Sequence, residues 1–165
     1  MITELTRMWL TRSTKPFLFK KEYDQELPFS DCDGLGLYVH IPFCRSICSF
    51  CPYCKTLYSE EACSRYIDAL IREIHLAGSQ IPGKKIVTSL YFGGGTPALA
   101  ADRIKEIIDA IQEHFIITQG IGIELHPENI TPRTLHILKE AGITKLSIGI
   151  QSFQEKFQKL LGRTG

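Results

Sequence analysis

The sequence predicts an α/β domain built on a parallel sheet. Three observations carry that reading. Short apolar runs alternate along the chain with stretches of helical period, the pattern of βα units joined by right-handed crossovers. The runs are apolar throughout rather than alternating, as strands are when both sheet faces are covered. The residues that packing does not explain all fall at the ends of these runs: four clustered cysteines, a Gly-Gly-Gly-Thr-Pro segment, Glu124 to Glu128, and Gln151-Ser152. In parallel α/β folds that rim is where ligands bind.

The elements follow in order. Residues 1–36 are poorly periodic and fairly basic, and read as an irregular N-terminal leader. Asp33-Gly34 and Gly36 mark a turn. Residues 37–43 form an apolar run bounded by that turn and by Pro42, a first strand. Ser59 caps a helix with Glu60 and Glu61 in its first turn. Cys63, Tyr66, Ile67, Leu70, Ile71 and Ile74 recur along it at helical spacing, and Gly78 ends it. Cys63 lies on the apolar stripe and reads as a core cysteine.

Residues 86–92 are a second strand, cut off by Gly93-Gly94-Gly95-Thr96-Pro97. Asp102 opens a second amphipathic helix with Ile104, Ile107, Ile108 and Ile111 on one face. Residues 121–125 are a third strand. Thr131-Pro132 is a cap followed by proline at the first helical position, and Leu135 and Leu138 give that helix its apolar side. Gly142 stops it. Residues 145–150 are a fourth strand, and Ser152 starts a last helix that carries Phe153, Phe157, Leu160 and Leu161. Four such units cannot close a barrel, which needs about eight strands in the best-known (βα) form. Either the sheet is open or the chain is the first part of a longer protein.

Composition narrows the function classes. The 165 residues suffice for one domain with a core,. Nineteen Lys plus Arg against eighteen Asp plus Glu give a net charge of +1, which does not suggest nucleic acid,. No stretch of about 18 apolar residues marks a membrane span. The first residues lack a continuous apolar core and carry Glu4, so they do not read as a signal peptide,. A reducing cytoplasm is the default, and there clustered cysteines bind metal or do chemistry more often than they form disulfides.

Cys44, Cys48, Cys51 and Cys54 stand with three, two and two residues between them. Disulfides fit poorly, because so little chain lies between these thiols. A tetrahedral zinc site using all four is one reading. A cluster held by three of them is another, with one iron open to bind substrate atoms. The glycines read either as a tight strand-to-helix turn or as a place where backbone approaches a ligand. His40 and His126 read as structural, and Gln151 is ambiguous on its own.

The stretches Tyr38-Val39-His40-Ile41-Pro42-Phe43-Cys44, Cys48-Ser49-Phe50-Cys51 and Phe92-Gly93-Gly94-Gly95-Thr96-Pro97 resemble the radical S-adenosylmethionine (SAM) superfamily. More closely, they resemble its oxygen-independent coproporphyrinogen III oxidase and haem-chaperone-like group. Ile123-Glu124 with Pro127, and Ser147 to Phe153 with Gly162-Arg163, extend the likeness over residues 37–165. The fold implied is a partial parallel (βα) barrel of the radical SAM type, about four βα units long, with residues 37–165 as the N-terminal part of the core domain.

The resemblance implies that Cys44, Cys48 and Cys51 hold a [4Fe–4S] cluster. Its open iron would bind SAM, and reductive cleavage would give methionine and a 5′-deoxyadenosyl radical. Tyr38, Gly94 and Glu124 match positions that contact the cluster-bound SAM. Phe50, Gly95, Thr96, Gln151 and Arg163 match positions implicated in SAM binding, partly of a second SAM molecule. It further implies a small-molecule substrate of porphyrinogen or haem type and an electron donor such as flavodoxin or ferredoxin.

One departure stands out. The coproporphyrinogen enzymes of the group carry a further cysteine two residues after the third ligand, where this chain has Tyr53, with Cys54 one later. That favours a relative within the group, among which are haem-chaperone-like proteins, SAM-dependent methyltransferases and haem-degrading enzymes. The family's barrel also continues past four units into a domain that covers the substrate. The chain by itself is therefore expected to bind its cluster weakly.

Overall fold

A computed structural model describes residues 32–162; most of the expected leader and Arg163 lie outside them. Strand β1 spans Leu35–Ile41, starting two residues earlier than the sequence suggests and ending sooner. Pro42 explains the end, since it has no N–H to continue the ladder. The chain then forms a two-residue strand β2, Phe43–Cys44, paired in parallel with β3, Thr56–Leu57.

Helix α1, Glu60–Ser79, starts as expected, with the Ser59 hydroxyl accepting from the Ala62 N–H. Strand β4, Lys85–Gly94, runs into a short 3-10 turn, Pro97–Ala100, and helix α2, Ala101–His114. Strand β5, Phe115–Ile117, follows at once and was not expected. Strand β6, Ile121–Leu125, matches the expected span. Helix α3, Pro132–Glu140, is capped by the Thr131 hydroxyl accepting from the Thr134 N–H. Strand β7, Ile143–Ile148, lies two residues earlier than expected, and helix α4, Glu155–Leu160, starts three residues later.

The main sheet is parallel throughout, ordered β1-β4-β6-β7. Ten-residue β4 serves two strands on one flank: β5 pairs with Lys85–Val87, and β6 with Leu90–Phe92. Among the described residues β1 and β7 end the row β1-β4-β6-β7, and the sheet is open rather than closed into a barrel.

One face is covered by helices. Val87, Leu90 and Phe92 of β4 and Ile123 of β6 share the core with Ile67 of α1 and with Ile104, Ile107 and Ile111 of α2. Each of these is buried to within one per cent of complete. Cys63 is in the same core, as expected, and burial pushes its thiol pKa up. An ion-pair cluster ties α1 to α2 above it: Arg103 reaches Asp68 at 2.9 Å and Glu106 at 2.6 Å. Those carboxylates hold the guanidinium charged, Glu106 contributing most. Truncating Ile107 to alanine should cost about 2–5 kcal/mol, read by denaturant unfolding.

The other face carries a row set by register: Tyr38 beside Tyr91, Tyr91 beside Gly122, and Gly122 beside Lys145. The Tyr38 and Tyr91 rings stack with centroids 6.5 Å apart. They lie across glycines, since a Cβ at Gly93 would come 2.7 Å from the Tyr38 ring and one at Gly122 2.6 Å from the Tyr91 ring. Toward the β7 edge, Leu146, Ile148, Phe157 and Leu160 are exposed. Among the described residues no helix is long and apolar enough to cross a membrane.

Candidate functional site

The carboxyl ends of β1, β4, β6 and β7 meet around an open cavity of about 300 Å³. The cysteine loop forms one wall. Its base is closed by the β2–β3 pairing, with Thr56 N–H donating to the Pro42 carbonyl and Tyr58 N–H to the Cys44 carbonyl, both at 2.8 Å. Within it, the Lys55 ammonium donates to the carbonyls of Cys51 and Tyr53. Cys44, Cys48 and Cys51 all line the cavity, and so does Phe50. Cys54 is exposed and does not.

His40 fastens the far end of this loop. Its Nε2 lies 3.0 Å from the Cys54 carbonyl. A carbonyl can only accept, so the ring proton sits on Nε2 and Nδ1 accepts from the Tyr38 hydroxyl at 3.2 Å,. The Tyr66 hydroxyl in turn donates to the His40 carbonyl at 2.7 Å. His40 thus has the structural role expected of it. Tyr38 is largely exposed beside the cavity rather than in its lining. Burial, then the nearby Glu124 charge, raises its pKa.

The glycine segment is strapped to the backbone that carries Cys44. Gly95 N–H donates to the Ile41 carbonyl at 2.9 Å and Thr96 N–H to the Phe43 carbonyl at 2.7 Å. Gly94 takes a φ of 128°, and a Cβ there would lie 2.6 Å from the Ile41 carbonyl oxygen. A Cβ on Gly95 would lie 2.6 Å from the Phe43 oxygen and 2.8 Å from Cys44 Sγ. Close approach of two protein segments already requires these glycines. Thr96 is buried. Burial pushes the Cys44 thiol pKa up, partly offset by a hydrogen bond with Thr96. Loading a metal onto that sulfur therefore releases a proton.

Glu124 is held at both oxygens. The Tyr91 hydroxyl reaches Oε1 and the Gly94 N–H reaches Oε2, each at 3.3 Å. Glu124 lines the cavity with Gly94, Gly95 and Thr96. Gln151 joins them from beyond β7 with a φ of 66°, the left-handed region, which costs a residue with a side chain of order 1 kcal/mol or more,. His126 caps a 3-10 turn, Pro127–Asn129, and also lines the cavity. Of the eight residues expected to bind SAM, six line one cavity, Tyr38 lies beside it, and Arg163 is outside the described residues. Lys55 and Tyr91 were not anticipated. Their roles come from loop closure and strand register, which leave no spacing motif.

Comparison with known proteins fits this geometry. The family model of the radical SAM superfamily matches residues 38–165. The chain belongs to the radical SAM superfamily. Among curated relatives, an anaerobilin synthase of Escherichia coli O157:H7 is 39% identical over 132 residues, covering 78% of this chain and 30% of that protein. An oxygen-independent coproporphyrinogen III oxidase of Pseudomonas aeruginosa is 33% identical, covering 78% of this chain and 29% of its own length. The heme chaperone HemW of Bacillus subtilis is 31% identical, covering 76% and 34%. The solved structure of Escherichia coli coproporphyrinogen III oxidase, described as a radical SAM enzyme, superposes with a TM-score of 0.73 at 34% identity. That match covers 81% of this chain and 31% of the other. The chain therefore spans about a third of the length of these relatives.

The donor set of this radical SAM domain is three thiols on one cavity wall, soft ligands of the kind that iron–sulfur clusters and zinc take.

Proposed function

We propose that this chain supplies the cluster and SAM site of an enzyme of porphyrin or haem metabolism. Cys44, Cys48 and Cys51 hold a [4Fe–4S] cluster in this reading. The observation that carries it is the convergence of these three thiols with Glu124, Gly95 and Gln151 on one cavity at the strand ends. When bound and reduced, the cluster supplies the electron that cleaves SAM to methionine and a 5′-deoxyadenosyl radical.

The residues do the rest by position. Glu124, fixed by Tyr91 and Gly94, presents a carboxylate that can accept from the SAM ammonium or a ribose hydroxyl,. Gly94 and Gly95 line that wall with backbone, their Cβ directions being filled by the segment that bears Cys44, and Thr96 and Phe50 flank it. Gln151 offers an amide from the β7 side. Tyr38 serves through His40, which holds the loop carbonyl of Cys54, and Arg163 contributes a guanidinium to the SAM carboxylate. Residues 37–165 form the N-terminal part of the core domain behind a leader of residues 1–36, working in the cytoplasm with an electron donor of flavodoxin or ferredoxin type. Glu124→Gln should weaken SAM binding about 10- to 100-fold, the worth of a charged hydrogen bond, read by equilibrium binding. Cluster content should stay unchanged.

The relatives, which are named for anaerobilin, coproporphyrinogen and heme, support a tetrapyrrole as the substrate class. Anaerobic cluster reconstitution of a full-length form, followed by incubation with dithionite, SAM and either coproporphyrinogen III or haem, tests the proposal. Formation of 5′-deoxyadenosine with a mass change in the tetrapyrrole supports it; an unchanged tetrapyrrole with no 5′-deoxyadenosine refutes it. Tyr53 in place of a cysteine favours one second reading, a haem-binding protein with a chaperone role. Stable haem binding without 5′-deoxyadenosine would be its signature.

A further inference from the structure

We propose that His75, Glu113 and His114 bind a divalent transition-metal ion of the zinc class, clamping α1 to α2 at the end of the domain opposite the cysteines. Two imidazoles and a carboxylate are the donor set of zinc sites that keep one position for water. His75 Nδ1 lies 3.0 Å from His114 Nε2 and 3.6 Å from a Glu113 carboxylate oxygen. All three donor atoms fall within 4.8 Å of one another. Two nitrogen or oxygen ligands on a tetrahedral ion, bound at about 2.0–2.1 Å, stand about 3.3–3.4 Å apart. These two separations bracket that edge and the third lies within 4.8 Å; the ion would replace the hydrogen bond that the two imidazoles share, its proton leaving the ligating nitrogen.

The pocket is shaped in advance. The His114 ring packs onto Gly78 of α1 so closely that a Cβ there would overlap it. The two imidazoles meet edge to face at 75°. Two further features favour a cation. His114 is the last residue of α2, so that helix turns the negative end of its dipole toward the group,. His75 and Glu113 keep 41% and 65% of their side chains exposed, which lets an ion enter and exchange. Helix C-termini in a parallel βα fold lie at the amino ends of the strands. The ion would therefore sit on the rim away from Cys44, Cys48 and Cys51, and would act on the packing of α1 and α2.

The test uses the full chain with its cysteines occupied by anaerobic cluster reconstitution. Cobalt(II) is titrated in as a spectroscopic probe, followed by displacement with zinc. The expected result is saturable binding of one equivalent, with a cobalt difference spectrum that shows ligand-field bands of nitrogen and oxygen ligation and no added cobalt–thiolate charge transfer. His75→Gln and Glu113→Gln should each weaken it at least about tenfold. Added zinc should raise the melting temperature of the parent protein but not of either variant. Should His75→Gln fail to fold, the exposed Glu113→Gln decides alone. Cobalt binding that does not saturate, that is unchanged in the variants, or that shows only thiolate charge transfer would overturn the proposal.

Discussion

Serine in place of Cys48 should leave the protein folded and strip it of iron and sulfide. Cys48 sits in a loop whose base is closed by β2 and β3 and whose far end is held by His40, outside the helix-covered core. Its side chain contributes little packing, so the unfolding free energy of the cluster-free protein should change by no more than a surface substitution changes it, about 0.5 kcal/mol. Cluster assembly, in contrast, depends on all three thiolates, and SAM cleavage should fall to background. Two controls separate ligation from mere cysteine content. Cys54→Ala should retain iron, because Cys54 points out of the cavity lining and only its carbonyl is used. Cys63→Ala should also retain iron while losing stability, because Cys63 is a core residue. Iron and sulfide analysis after anaerobic reconstitution, with thermal melts of each variant, reads all three.

Alanine in place of Gly95 should damage fold and site together. The added methyl would press on the Phe43 and Pro42 carbonyl oxygens and on Cys44 Sγ at 2.6, 2.7 and 2.8 Å. Two of those neighbours are backbone and cannot swing aside. The β4 end must move away from β2, breaking the hydrogen bonds from Gly95 and Thr96 to that segment. We expect a loss of about 1–3 kcal/mol, read by denaturant unfolding, and reduced iron loading because Cys44 is displaced. Gly36, with open space around its Cβ direction and no left-handed φ, is the comparison. Alanine there should cost less and leave iron loading unchanged.

Much of this was legible in the chain, for reasons that differ by element. The helix caps at Ser59 and Thr131 are local chemistry, and both appear as read. β6 was recognised as residues 121–125 because its apolar run is bounded by Gly120 on one side and by the polar rim on the other. β5 was missed because Phe115–Ile117 continues the apolar character of α2 with no turn residue between them; only the long partner β4 makes it a strand. The first strand divides at Pro42 for want of one N–H. Ser152 does not start α4: its hydroxyl accepts from the Gln154 N–H, and the helix begins after that turn.

The site was legible as a rim but not as a geometry. Strand order brings Glu124 beside Gly94 and Tyr91, and sequence spacing cannot show that. Register places Tyr38 over Gly93, next to the cavity rather than in its wall. The glycines, first read as room for a ligand or as a turn, turn out to be required where β4 meets the segment bearing Cys44.

The central claim is that three cysteines hold a cluster whose remaining iron is open to SAM. Electron paramagnetic resonance of the dithionite-reduced protein, recorded before and after adding SAM, tests it most directly. The account predicts a [4Fe–4S] signal whose shape changes when SAM binds, in the parent and in Cys54→Ala alike, and no signal in Cys48→Ser. A reduced-cluster signal indifferent to SAM, or a protein that takes up zinc in place of iron and sulfide, would contradict it.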